Sequence, residues 1–270
     1  MPSFTIPNTI VLPLRILLTG ASSGIGRALA LVYAERGARI VLVARRTALL
    51  DEVATLVSER GGDALVLAAD LTEPDAPRRM IEQARSWLGV IDLAILNAGR
   101  GGPLWIHDMD LAEAELVTSL NYLAPLRMIA LLLPDMLHRR QGHIAVVSSL
   151  AGFRGMPGSG PYNASKGALN ILMESLRIEL RGEGVAVTTV LPGFVRTGMT
   201  DLNEFHMPFL MEPERAARRI ARDLDRRRSF SRFPFPVSLA TRLLNILPTP
   251  LYDVLISQGR KRLARRRAGR

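Results

Sequence analysis

Residues 14–26 read Leu14-Arg15-Ile16-Leu17-Leu18-Thr19-Gly20-Ala21-Ser22-Ser23-Gly24-Ile25-Gly26, and this stretch decides the fold. The apolar run from Leu14 to Thr19 predicts a buried strand. A turn carrying Gly20, Gly24 and Gly26 follows, then a helical pattern through Arg36 that Gly37 ends. Glycines between a strand and a helix let the backbone turn tightly and approach a ligand. The helix N-terminus adds free N–H groups and partial positive charge, which suit a pyrophosphate. The spacing is G-x-x-x-G-x-G, and its strand–turn–helix context gives it weight.

Outward from that turn the same rhythm repeats. Ala38–Val43, Ala64–Ala69, Asp92–Leu96, Ile144–Ser148 and Val185–Leu191 read as short apolar strands. Helical patterns at Thr47–Arg60, 75–88, Leu111 to Arg139 and Pro161–Arg181 alternate with them; Pro125 and Pro134 are expected to kink or divide the longest. Pro213–Arg228 reads as a further helix, with an edge strand near Ser229–Phe233. Strands this apolar are buried on both faces, so a parallel sheet covered by helices on both sides is expected. The fold class is α/β: one doubly wound Rossmann-type domain over residues 1–236, with a sheet of about seven strands. Residues 237–270 are expected to form a basic helical extension, broken near Pro248 and Pro250. Residues 1–13 read as an irregular lead-in.

Composition excludes several chemistries. The chain has no cysteine, which removes disulfides, thiolate metal sites and a cysteine nucleophile. Its four histidines, His107, His138, His143 and His206, show no metal-binding spacing, so no metal is expected. The net charge of +10 is concentrated in residues 260–270, where Arg260, Lys261, Arg262, Arg265, Arg266, Arg267 and Arg270 occur without an acid. Such a run reads as a solvated tail or as a contact with an anionic membrane. No aromatic residue lies between those arginines, which argues against nucleic acid. Neither a secretory leader pattern nor an apolar run of membrane-spanning length is visible, so a cytoplasmic protein is expected, with peripheral membrane contact left open.

The chemistry gathers between Ser148 and Lys166. Tyr162 and Lys166 fall one helical turn apart on one face. An ammonium beside a phenol favours the phenolate and lowers its pKa, making a usable proton donor or acceptor. At the end of the second strand, where an acid would bind a ribose 2′-hydroxyl, the chain reads Val43-Ala44-Arg45-Arg46. Two guanidiniums in place of that acid favour NADP(H) over NAD, with Arg45 and Arg46 at the 2′-phosphate.

With these residues in view, the chain resembles the classical short-chain dehydrogenase/reductase family. The resemblance rests on Thr19 through Gly26, Asp70, Asn97-Ala98-Gly99, Asn121, Ser149, Tyr162 with Lys166, and Pro192-Gly193 followed by Thr197, in the family's order over residues 14–200. It implies an oxidoreductase moving a hydride between nicotinamide and a carbonyl or secondary alcohol. Tyr162 would be the general acid or base, Lys166 would tune it and bind the ribose, Ser149 would polarise the substrate oxygen, and Asn121 would hold a relay water. Ser148 is one residue off register. The cofactor would lie against Gly20, Ser22, Ser23, Gly24, Ile25, Gly26, Asp70, Leu71, Asn97, Ala98, Gly99, Pro192, Gly193, Val195 and Thr197, besides Tyr162 and Lys166. Asp70 would contact adenine, Asn97 would be structural and Thr197 would contact the carboxamide. Pairing of the two long helices would give a homodimer or homotetramer.

Two segments bear on substrate. Met199–Met211 carries Met199, Leu202, Phe205, Met207, Phe209, Leu210 and Met211, which either line a pocket for a hydrophobic carbonyl compound or simply cover the core. The apolar residues of 237–256 would lie on a membrane, pack on the core or meet a second subunit. The glycine-rich loop Gly99-Arg100-Gly101-Gly102 is expected to be flexible and to admit substrate.

Overall fold

The structure, a computed structural model, describes residues 13–202 and 207–257. All but Pro13 of the expected lead-in over 1–13, with Phe205, His206 and the basic run 260–270, lies outside these residues, as does the side chain of Leu202.

The chain alternates as the apolar pattern requires: β1 (Arg15–Thr19), α1 (Gly24–Ala34), β2 (Arg39–Ala44), α2 (Thr47–Glu59), β3 (Asp63–Ala68), α3 (Ala76–Leu88) and β4 (Leu93–Leu96). Then come α4 (Leu111–Thr118), α5 (Ala124–His138), β5 (Gly142–Val147), α6 (Gly160–Glu179), β6 (Val185–Pro192), α7 (Pro213–Asp225), β7 (Phe230–Phe233) and α8 (Phe235–Ile246). Residues 249–257 are helical beyond the break at 247–248. The seven strands form one sheet in the order β3-β2-β1-β4-β5-β6-β7, and every pairing is parallel.

Alternation along each strand feeds two cores. Ile16 and Leu18 of β1 face the layer of α1, α2 and α7, where Leu29, Leu50 and Ile220 are fully buried. Leu17 faces the opposite layer, with Met80 of α3, Met128 of α5 and Leu169 of α6. Each such side chain contributes about 1.5–3 kcal/mol by leaving water. The chain order reverses between β1 and β4, which opens a crevice beyond the strands' C-terminal ends.

The long helix departs from expectation in one informative place. It runs from Leu111 to His138, interrupted only by a π-turn at Ser119–Leu123, just before Pro125. Pro125 has no N–H to offer the Asn121 carbonyl, and the wider turn absorbs that loss. Pro134 sits inside α5 without breaking it. The carbonyl it leaves without a donor is that of Ala130, on the exposed side of the helix, where the loss costs least. By length and composition the Leu111–His138 helix could cross a membrane, contrary to the sequence expectation. Here Ala124, Met128, Ile129, Leu132 and Met136 pack it onto the sheet instead. The boundary expected at 236/237 falls in the first turn of α8.

Candidate active site

The crevice at the β1/β4 reversal is a cleft of about 1300 Å³. Its floor is the turn after β1. Gly24 has φ +54°, which only glycine adopts freely, and a Cβ there would also meet Thr197 Cγ2 at 2.7 Å. A Cβ on Gly26 would stand 2.1 Å from the Gly20 carbonyl oxygen and 2.7 Å from Asn97 Nδ2. Gly26 therefore lets α1 close on the turn from behind; it is not among the cleft-lining residues, whereas Gly20, Ser22, Ser23, Gly24 and Ile25 are. No side chain caps α1 and its first turn holds no acid, so its positive end is available to an anion. Asn97 fixes the turn from the side, donating through Nδ2 to the carbonyls of Thr19 (3.0 Å) and Gly20 (3.2 Å), while its own N–H donates to Thr19 Oγ1 (2.9 Å). This is the structural role the resemblance implied.

At the end of β2 the two arginines diverge. Arg46 donates through Nη2 to the hydroxyls of Ser22 and Ser23, 3.1 Å each, which joins the second strand's end to the glycine turn. Arg45 Nη1 lies 3.8 Å from Asp70 Oδ2. Burial pushes the Asp70 carboxyl up, but hydrogen bonds from the Thr72 N–H and hydroxyl, with the Arg45 charge, hold it below the usual range. Leu71, Ala98, Gly99, Pro192, Gly193, Val195 and Thr197 complete this side of the cleft.

Beyond it stands the reacting group. The first two turns of α6 carry Tyr162, half-buried at the cleft wall, and Lys166, buried beneath it. Ser149, just beyond β5, accepts from the Ala151 N–H at 3.0 Å, and its hydroxyl lies near enough to Tyr162 to pull the phenol's pKa down against the effect of burial. Ser148 instead donates to the Lys166 carbonyl, 3.2 Å away, so the hydroxyl that meets the tyrosine is that of Ser149. Lys166 Nζ donates to the Val147 carbonyl at 3.0 Å and lies 6.0 Å from the Tyr162 ring centroid. The expected fall in the tyrosine pKa is not found in the protein alone. Burial pushes the Tyr162 phenol up, opposed by the Ser149 hydrogen bond, and burial also lowers the Lys166 ammonium to about 8.

Asn121 is fully buried in the π-turn and does not line the cleft. Its Oδ1 accepts from the Arg100 N–H (2.8 Å), and its Nδ2 donates to the Arg100 carbonyl (2.8 Å) and Ser165 Oγ (3.1 Å). These bonds, with the Arg100–Glu113 ion pair, tie down the loop that its glycines led us to expect as flexible. Gly101 then lies flat on Tyr162, since a Cβ there would be 2.9 Å from the ring.

Of the two roles open to Met199–Met211, lining a pocket or covering the core, each is taken by some of its described residues. Among the described apolar side chains of Met199–Met211, Met199 lines the cleft and Met207, Phe209, Leu210 and Met211 do not. Met211 packs on the core and its backbone pairs with Val195, and Phe209 is exposed. The apolar wall comes instead from Trp105 and Met156, from Val237, Ala240, Thr241 and Leu244 of α8, and from Tyr252, Leu255 and Ile256. A latch secures it. Arg154 Nη1 donates to the carbonyls of Leu244 (3.4 Å), Asn245 (3.1 Å) and Leu247 (3.2 Å), which caps α8. The Arg154 guanidinium also stacks 4.0 Å from the Tyr252 ring centroid, and the Tyr252 hydroxyl donates to the Gly155 carbonyl at 2.7 Å. The signal in the sequence was the i, i+3, i+4, i+7 spacing of 237, 240, 241 and 244, which marks one helix face but not what it faces.

Among the described residues no cluster could hold a metal ion. His143 is buried with Nε2 2.8 Å from Thr188 Oγ1. That hydroxyl donates to the Arg228 carbonyl, so His143 carries its proton on Nε2, and burial, with the Arg227 charge, lowers it to about 4.

The family profile described as short chain dehydrogenase matches residues 15–206. An uncharacterized oxidoreductase of Myxococcus xanthus is 38% identical over 237 residues, covering 88% of this chain and 94% of that protein. A fatty acyl-CoA reductase of Mycobacterium tuberculosis is 40% identical over 188 residues, covering 68% of this chain and 64% of its own length. Among solved structures, a short-chain dehydrogenase from Sphingobium yanoikuyae in complex with NADPH aligns with TM-score 0.76 at 29% identity, covering 88% of this chain and 97% of that one. A relative from Burkholderia phymatum in complex with NAD shares the fold with TM-score 0.80 at 24% identity, covering 86% and 92%. With the glycine turn, the Ser149–Tyr162–Lys166 group and this likeness over most of its length, the chain belongs to the short-chain dehydrogenase/reductase family of nicotinamide-dependent oxidoreductases.

Proposed function

We propose that the protein is an NADP(H)-dependent oxidoreductase that interconverts a carbonyl and a secondary alcohol on a hydrophobic substrate. The observation that carries this is one continuous cleft, with the glycine turn and Arg46 at one end, Ser149 and Tyr162 at the middle and an apolar wall at the other. The residues fit a dinucleotide phosphate. The uncapped α1 terminus suits a pyrophosphate, and Arg45, Arg46, Ser22 and Ser23 form a cationic, donor-rich corner suited to a 2′-phosphate. Asp70 and Leu71 would take the adenine, and Lys166 and Thr197 the nicotinamide end. The Sphingobium relative in complex with NADPH supports the same assignment.

The bound nicotinamide supplies or accepts the hydride equivalent. Tyr162 delivers a proton to the substrate oxygen in reduction and removes it in oxidation. Ser149 donates to the same oxygen as negative charge grows there. Lys166, its Nζ held by the Val147 carbonyl one helical turn from the phenol, would bind the ribose hydroxyls of the nicotinamide. Asn121 has spent its amide on Arg100 and Ser165, so only its main-chain carbonyl is left to hold a relay water. Trp105, Leu244, Tyr252 and Leu255 would take the apolar body of the substrate, and the fatty acyl-CoA reductase likeness fits a long chain.

Exposed Leu111 and Leu116 on α4, with Ile171 and Ile178 on α6, support a homodimer or homotetramer built on these helices. A panel of carbonyl compounds run with NADPH and with NADH tests the reading. Faster turnover of apolar ketones with NADPH is expected; preference for NADH or for small polar ketones would refute it.

A further inference from the structure

Helix α8 is apolar on two opposite sides. Val237, Ala240, Thr241 and Leu244 face the cleft. Phe235, Leu239, Leu243 and Ile246 fall on the other side at 100° per residue and are 75%, 44%, 55% and 77% exposed. A helix that is hydrophobic all round belongs inside a protein or in lipid. Yet Ser238 is the only buried residue of α8. Leu251, Val254 and Leu255 on the neighbouring segment extend the exposed stripe, and Leu255 also lines the cleft. The patch therefore continues into the apolar wall of the site. Arg154 holds α8 in this position through three carbonyl contacts, so the outer stripe stays exposed while the inner one faces the cleft.

We propose that this outer face docks on an anionic bilayer surface, with the cleft mouth turned toward the lipid. Charge favours a bilayer over a second copy of the chain. Seven basic residues and no acid occupy positions 260–270, and a run of like charge is drawn to anionic lipid and repelled by a second copy of itself. Each such residue near an anionic leaflet contributes about 1 kcal/mol, and apolar side chains beside them enter the acyl boundary. The surface is separate from the α4 and α6 residues that support oligomer formation. The inference does not depend on which carbonyl is reduced or on which nicotinamide cofactor is used.

The test is flotation of the full-length protein with phosphatidylcholine–phosphatidylglycerol vesicles and with pure phosphatidylcholine vesicles. Wild type should float with the anionic vesicles at least about tenfold better than with the neutral ones. The variant Leu239→Glu/Leu243→Glu/Ile246→Glu should stay in solution, with its NADPH affinity and its oligomeric mass by light scattering unchanged. Ile246→Trp should show a blue-shifted tryptophan emission on adding anionic vesicles, which reads docking without removing it. Failure of wild type to float, equal flotation of the glutamate variant, or no spectral shift at Trp would overturn the proposal. A glutamate variant of smaller oligomeric mass would also overturn it, by showing that a second copy covers the face.

Discussion

The two walls of the cleft are built on different principles. The cofactor wall is backbone and short polar side chains, placed by strand ends and fixed by bonds such as Asn97 to Thr19 and Gly20. The substrate wall is apolar side chains on two helical segments whose outer faces are exposed, held to the rest by Arg154 and Tyr252. A wall made of backbone geometry tolerates almost no change, because a Cβ at Gly26 has nowhere to go. A wall made of apolar side chains can change composition while its latch keeps it in place.

That contrast can be broken at four points, in falling order of effect. Lys166→Met should cut turnover about a thousandfold while raising stability at pH 7 by about 2 kcal/mol, since a buried ammonium is replaced by a buried thioether. The pH dependence has a definite sign. The folded Lys166 pKa, about 8, lies below the ordinary lysine value of 10.5. Between those values the unfolded chain binds the proton and the folded chain does not, so wild type gains stability as pH rises through that window. Below it the cost of the buried charge is constant, and the variant should show no such slope. Chemical denaturation at a series of pH values reads both effects; a variant less stable than wild type at pH 7 would contradict them.

Gly26→Val should lower stability by about 3 kcal/mol or prevent folding, because the turn cannot yield at Gly20 without releasing Asn97. A thermal melt near that of wild type would mean that the cofactor wall is softer than its geometry. Arg46→Ala should weaken NADPH binding about tenfold to a hundredfold and leave NADH binding unchanged, the size of one or two charge-assisted hydrogen bonds. Equal loss for both cofactors would assign Arg46 to holding the turn through Ser22 and Ser23. The smallest effect is expected on the other wall. Arg154→Ala should raise the KM of a long apolar ketone several-fold, about 1 kcal/mol, with NADPH affinity and the turnover of a small ketone intact. A general loss of activity would show that the latch also positions Ser149.

The cofactor wall was legible in the sequence because its demands fall on residue type at fixed spacing. Gly20 and Gly24 need positive φ, Gly26 needs the absence of a side chain, and Tyr162 and Lys166 need one helical turn between them. Ser149 over Ser148 was also legible, and the hydrogen bond of Ser148 to the Lys166 carbonyl supplies the reason. Three features were not. The π-turn at Asn121 is a backbone response to Pro125, where sequence suggested a kink or a division without its form. The firm loop at Arg100 depends on Asn121 and Glu113, distant in sequence, which outweigh the local signal of three glycines. The flexible apolar residues of Met199–Met211 could have lined a pocket or covered the core, and among those described Met199 alone reaches the cleft. Periodicity identified the inner stripe of α8 but carried no information on which surface it would meet.

The central claim is that Tyr162 is the proton donor at the meeting point of the two walls. It is tested most directly by Tyr162→Phe, with NADPH oxidation in the presence of an apolar ketone measured beside NADPH binding. The phenyl ring keeps the packing against Gly101 and removes only the hydroxyl. The account predicts a fall in kcat of about a thousandfold with NADPH affinity unchanged within about twofold, the loss of less than half a kcal/mol. Retention of the full rate would contradict it.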